Sequence, residues 1–184
     1  AAHDIFRLQV EDAARELARM ENKQIANELE LATAITGSDW GAVSGGVSTN
    51  NPFTDILNAI TQIREKGYEP DFMVISPYAW SKFITNTWVR DLVHSGLAKV
   101  TASGGEFTLP GYPMISVVVD AALTPTLAII GSSKAPACVL GEGPSEAAHY
   151  RNEIAGYDAF IIRQWLQPKL VVPDAIRKIT GVAT

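Results

Sequence analysis

Apolar residues recur every three or four positions from Phe53 to Ile63 (Phe53, Ile56, Leu57, Ile60, Ile63), the stripe of an amphipathic helix. Asn51 offers an N-cap oxygen ahead of it, and Pro52 suits the first helical position because it has no N–H to lose there. Lys66 falls in the last turn, and Gly67 follows as a left-handed stop. Phe72 to Ile75 is a short apolar run suited to a buried strand. Ser76 and Pro77 then restart a helix that turns Trp80 and Phe83 inward.

Upstream, the pattern predicts one long helix from about Asp4 to Ile35. Ile5, Leu8, Ala13, Leu17, Met20, Ile25, Leu29 and Leu31 supply its apolar positions, charges fill the gaps, and no Gly or Pro intervenes before Gly37. Glu11 and Arg15 attract at helical spacing, while Arg15 and Arg19 repel, each by a few tenths of a kcal/mol. About 30 residues make a helix roughly 45 Å long. That exceeds the helix of an average small domain and fits a spine crossing a thin subunit. A bundle helix or a coiled coil is the other reading, but the apolar spacing is not a clean heptad.

Residues 37–50 (GSDWGAVSGGVSTN) read as a loop by composition. Thr87 to Val100 reads as a short helix or turn stopped at Gly96, and residues 101–107 as a turn between strands. Met114–Val119 and Thr126–Ile130 are β-branched, apolar and suited to central strands. Pro110, Pro113 and Pro125 sit at strand entrances. Ala155 to Val172 reads as one long strand, with Pro168 marking an edge or a bulge.

The chain has 184 residues, 47% of them hydrophobic and 19% charged, which is enough to bury a core. A formal net charge of −5 argues against a nucleic-acid-binding surface over the whole molecule. The single cysteine, Cys138, forbids an intramolecular disulfide; within the run ACVL it reads as a small core residue. No apolar run approaches the ~20 residues of a membrane span, so no membrane partner is expected.

Catalytic chemistry finds no footing. His3, His94 and His149 have neither H-x-x-x-H nor H-E-x-x-H spacing, and no G-x-S-x-G elbow occurs. The glycine-rich loop at 37–50 lacks the lysine and the preceding strand of a phosphate cradle. We expect no catalytic, cofactor-binding or metal-binding residue, and no cofactor. Glu142, Glu146, Glu153 and Arg151 in the stretch GEGPSEAAHYRNE suggest an ionic cluster of loop or intersubunit kind, worth about 0–1 kcal/mol per exposed pair. The aromatics are not interleaved with basic residues and read as core and interface anchors.

One family brings these pieces together. The run GYEPDFMVISPYAW (67–80), the turn LPGYP (109–113) before a strand, and the ending WLQPKLVVPDAI (165–176) resemble major capsid proteins of the HK97 fold. Tailed-phage capsids and encapsulin shells share that fold. Ala14 to Ile25 similarly resembles the family's spine helix. The resemblance implies an α+β HK97-like fold, with spine helix and connecting loop at 1–50, an A-domain at 51–141, and a return to the P-domain at 142–184. The N-terminal arm and E-loop hairpin that precede the spine helix in the family have no counterpart here, which points to a processed or truncated chain. The implied function is a shell subunit, more phage-like than encapsulin-like, with many copies of itself as partners. Packaged nucleic acid or cargo protein would lie on the inner face, and the location would be a virion capsid or a cytoplasmic shell. Trp40, Trp88, Arg90, Tyr150, Arg151 and Trp165, large or charged groups near loops, are the expected subunit contacts. Two competing readings are a small α/β hydrolase or ligand-binding domain, and a virion adaptor forming a ring.

Overall fold

A computed structural model describes residues 2–135, 137–152 and 157–184; side chains are not described for 2–6, 150, 152 and 157–160. Helix α1 (Ala2–Leu29) is followed by strand β1 (Ala34–Thr36), the small hairpin β2 (Val43–Ser44) and β3 (Val47–Ser48), and α2 (Pro52–Arg64). Next come β4 (Phe72–Ile75), α3 (Pro77–Thr85), α4 (Thr87–His94), β5 (Ala98–Thr101), β6 (Gly104–Thr108), β7 (Met114–Val119) and β8 (Leu127–Gly131). The remainder is β9 (Cys138–Glu142), β10 (Glu146–Asn152), β11 (Tyr157–Arg163), β12 (Leu166–Leu170), a 3-10 turn (Pro173–Ala175) and β13 (Ile176–Thr180).

The capping signals of the central block work as the residues require. The Asn51 side chain accepts from the Phe53 N–H, the Ser76 side chain from Ala79, and the Asn86 side chain from Trp88. Gly67 and Gly96 take positive φ, 86° and 76°, where each helix gives way. A seven-stranded mixed sheet, ordered β1-β13-β8-β4-β7-β6-β5, forms the centre. Strands β8 and β13 arrive from distant parts of the chain, and β13 pairs parallel with β1 and antiparallel with β8.

One face of this sheet is covered by α2, α3 and α4, around Trp40, Ile56, Ile60, Ile63, Met73, Ile75, Trp80, Phe83, Ile130 and Ile179. Phe53, Trp80, Phe83 and Phe107 pack ring to ring at 5.4–6.1 Å between centroids, spacings at which aromatic pairs attract beyond their burial. On the other face a second cluster joins Ala26, Leu123, Leu127, Ile129, Ala137 and Ile176, but only beneath the C-terminal end of α1. Met114 and Val118 of β7, which point to that second face, remain exposed.

Three expectations change. Helix α1 stops at Leu29 rather than Ile35, because residues 34–36 are drawn into the central sheet by β13, with Ile35 opposite Ile179. Residues 101–107 are mostly strand: only Ala102 and Ser103 turn, and β6 starts at Gly104. The long strand expected at 155–172, whose first two residues lie outside the described residues, is from Tyr157 the return half of a two-stranded ribbon, β10 with β11 and β9 with β12, interrupted at Gln164 and Trp165. The stretch GEGPSEAAHYRNE, read as a loop, supplies the end of β9 and all of β10; among its described residues Gly143, Pro144 and Ser145 lie between the two strands. Pro168 does lie on a ribbon edge, where its missing N–H does no harm.

Candidate functional site

The surface carries three features that could meet another molecule. The first is the β2–β3 hairpin beside α4. Gly45 and Gly46, at φ 60° and 81°, make the tight turn, and Val43 and Val47 point into solvent around it. Its base is pinned by polar side chains. Asn86 Nδ2 donates to the Trp40 and Asn50 carbonyls at 2.9 Å, and Ser48 Oγ accepts from the Thr87 N–H at 3.0 Å. Trp88 stands half-buried in α4 here, and Arg90 is exposed two residues further on.

Trp40 is not part of this surface. It is 0% exposed, lies 5.5 Å from the Phe83 ring, and donates its indole N–H to Asp55 Oδ2 at 2.8 Å. The same oxygen accepts from the N–H and hydroxyl of Ser38, so one carboxylate gathers the loop that composition alone had placed outside. The expected contact at Trp40 is therefore corrected to a core anchor.

The second feature is the uncovered part of the sheet, where Met114 and Val118 stand beside half-buried Phe72 and Val74. At its far end Lys99 and Glu106 pair at 2.9 Å.

The third is the ribbon. Its β9–β12 half lies along the last turns of α1, where Glu28 Oε1 accepts from the Leu170 N–H at 2.8 Å. Trp165 is 50% exposed at the interruption, and its carbonyl accepts from the Gly143 N–H at 2.7 Å. Arg151, exposed and already engaged, faces Asp158 in the β10–β11 register. The side chain of Tyr150 lies outside the described residues, as does Glu153 of the expected ionic cluster. Glu142 closes β9 while Arg151 is near the far end of β10, so extended backbone keeps those two apart. Cys138 sits half-buried at the ribbon's base, and that burial pushes its thiol pKa up, away from reactivity.

Several surface features escape sequence reasoning. Val43, Val47, Met114, Val118, Val139 and Leu140 read as ordinary strand formers, and only the sheet order shows which of them lack a covering layer. Among the described residues no group of His, Cys, Asp and Glu is placed to hold a metal ion, and no helix is long and apolar enough to cross a membrane. A groove of about 820 Å³ beside α1, between Ala18–Lys23 and the 120–125 loop, opens to solvent.

A long helix lying along a two-stranded ribbon, joined to a mixed sheet with helices on one face, defines an HK97-like shell fold. The chain belongs to the phage capsid protein family, whose model matches residues 2–179. No curated protein sequence is similar to it. Among solved structures, a phage-related protein from Bordetella bronchiseptica RB50 aligns with a TM-score of 0.64 at 15% identity, over 97% of this chain and 67% of that one. The virus-like particle of Pyrococcus furiosus gives 0.60 at 15% identity, over 89% and 63%. The holo encapsulin complex of Synechococcus elongatus PCC 7942 gives 0.61 at 12%, over 97% and 66%. At such identities the likeness is one of fold. The chain spans 63–67% of the length of these three.

Proposed function

We propose that this chain is a structural subunit that assembles in many copies into a closed shell, a phage-like capsid. The carrying observation is the capsid family match over residues 2–179. The fold supports it: hairpin, sheet and ribbon leave apolar and strand-edge surfaces uncovered. Closed symmetric shells are built by repeating such contacts between identical subunits. Trp88, Arg90, Arg151 and Trp165 are the proposed contact residues that remain accessible. In this reading α1 and the ribbon form the peripheral platform, and the seven-stranded sheet with α2, α3 and α4 forms the domain at the shell's symmetry axes, β1 and β13 carrying parts of 1–50 and 142–184 into it.

The encapsulin alternative keeps its place because the likeness to the encapsulin complex, at a TM-score of 0.61, is as good as that to the virus-like particle. The two differ in content: packaged nucleic acid for a virion, protein cargo for a cytoplasmic shell. Light scattering after size exclusion on the full-length native protein, with negative-stain images of the peak, tests the reading. A hollow megadalton particle is expected, with a copy number that is a multiple of 60. A monomer, dimer or small ring would remove the shell and favour the adaptor reading.

A further inference from the structure

The two outer edges of the β9–β12 ribbon differ in how their backbone groups are engaged. In this antiparallel register the residue numbers of opposite partners sum to a constant, and Gly143–Trp165 and Ala137–Val171 are both hydrogen-bonded pairs. Hydrogen-bonded pairs alternate along such a ladder, so Val139–Lys169 and Gly141–Gln167 are the others. The N–H and C=O groups of Cys138, Leu140 and Glu142 therefore point away from β12, along the outer edge of β9. Those of Leu166, Pro168 and Leu170 point the other way.

The β12 edge is closed. Pro168 has no N–H, the Leu170 N–H is taken by Glu28, and α1 lies alongside. Proteins block strand edges by such means. Among the described residues the β9 edge carries none of them. Among the described residues no third strand pairs with it, and Val139 and Leu140 stand 44% and 39% exposed on its two faces. A two-stranded ribbon is marginal alone and gains from a third strand.

We propose that the outer edge of β9 pairs antiparallel with the same edge of a second copy, about a two-fold axis through Leu140, giving a four-stranded sheet β12-β9-β9-β12. The strand is self-complementary in that register. Leu140 opposes Leu140 of the second copy, and both exchange N–H and C=O; Cys138 and Glu142 oppose one another at either end and do the same. All three outward pairs are satisfied together. No like charges meet, because Glu142 faces a cysteine. Val139 lies opposite Gly141 of the second copy, and a side chain at Gly141 meets only the Gln167 carbonyl, at 3.5 Å, so that face has room for the valine. The proposal rests on the self-assembly reading above and names one of its contacts.

The test uses the full chain with Cys138→Ala, adding Leu140→Cys in one protein and Gln167→Cys in another. Both are oxidised at assembly concentration, with mass read in parallel by light scattering. Opposed hydrogen-bonded residues are about 5.5 Å apart at Cα, within disulfide reach; two copies of position 167 would lie roughly 15 Å apart, beyond it. At least ten-fold more covalent dimer from the 140 variant than from the 167 variant is expected. Equal yields overturn the edge pairing, whether or not large particles form, and the parallel mass says separately whether self-assembly survives. A second variant, Leu140→Pro, removes an N–H that the ribbon's own ladder does not use. It should keep the far-UV spectrum and melting temperature while weakening association at least ten-fold; unchanged association also overturns the pairing.

Discussion

Asp55 shows how one residue settles where a loop lies. Its Oδ2 accepts three hydrogen bonds, from the Ser38 N–H and hydroxyl and from the Trp40 indole, at 2.8–2.9 Å. Asp55→Ala leaves the buried indole N–H without a partner and should cost about 3 kcal/mol, read by urea unfolding. Asp39 nearby is held below the ordinary carboxylate value of 3.8, chiefly by the Thr184 hydroxyl, which donates to its Oδ2 at 2.6 Å. A depressed carboxylate contributes stability that is present above 3.8 and lost as pH falls through the folded value. The side-chain carboxyl signal of Asp39 should therefore titrate below about pH 3.8, and Thr184→Ala, which removes the donor, should raise that titration. At this scale the caps at Asn51 and Ser76 were legible, because their chemistry is local. Trp40 was not, because its partners Asp55 and Asn86 come from other segments, and composition alone speaks only for loop.

Elements here are finished by neighbours far along the chain. Helix α1 has no basic residue in its last turn, yet Lys178 of β13 donates to the Glu30 carbonyl at 2.6 Å and serves as the missing C-terminal cation. Lys178→Met should cost about 1–2 kcal/mol and fray the helix end, seen as faster amide exchange at residues 26–30. The β5–β6–β7 strands meet so closely at two glycines that a Cβ would lie 2.1 Å from a carbonyl, Val117 for Gly104 and Lys99 for Gly105. Gly104 also takes φ 139°. Gly104→Ala should cost about 2–3 kcal/mol in thermal unfolding, more than a surface alanine elsewhere in the sheet. The same long-range logic explains the misplaced boundaries. Nothing local stops the helix before Ile35; the parallel pairing with β13 does. Of the single strand expected at 155–172, 157–163 and 166–170 are strand, but the break at Gln164 and Trp165 carries no periodic signal.

At the scale of the whole molecule, accessibility separates the proposed contacts from the core. Arg151→Ala should leave the melting temperature within a few degrees, and Trp88→Ala, whose ring also packs against the core, should lower it further; both should reduce the particle fraction in light scattering, and unchanged particles would exclude both residues as contacts. The α+β class and the shell fold were legible because three blocks kept their order along the chain. The uncovered surfaces were not, since exposure depends on which strands become neighbours.

The position of β13 has a consequence in time. It lies between β1 and β8, so residues 34–36 find their partner only when 178–180 have been made. Before then β8 has an open flank and β1 has nothing to pair with. Contacts spanning so much of the chain close slowly, after local helices and hairpins have formed. On the ribosome the central sheet therefore stays incomplete until β13 emerges, and the strands made before it wait with one flank unpaired.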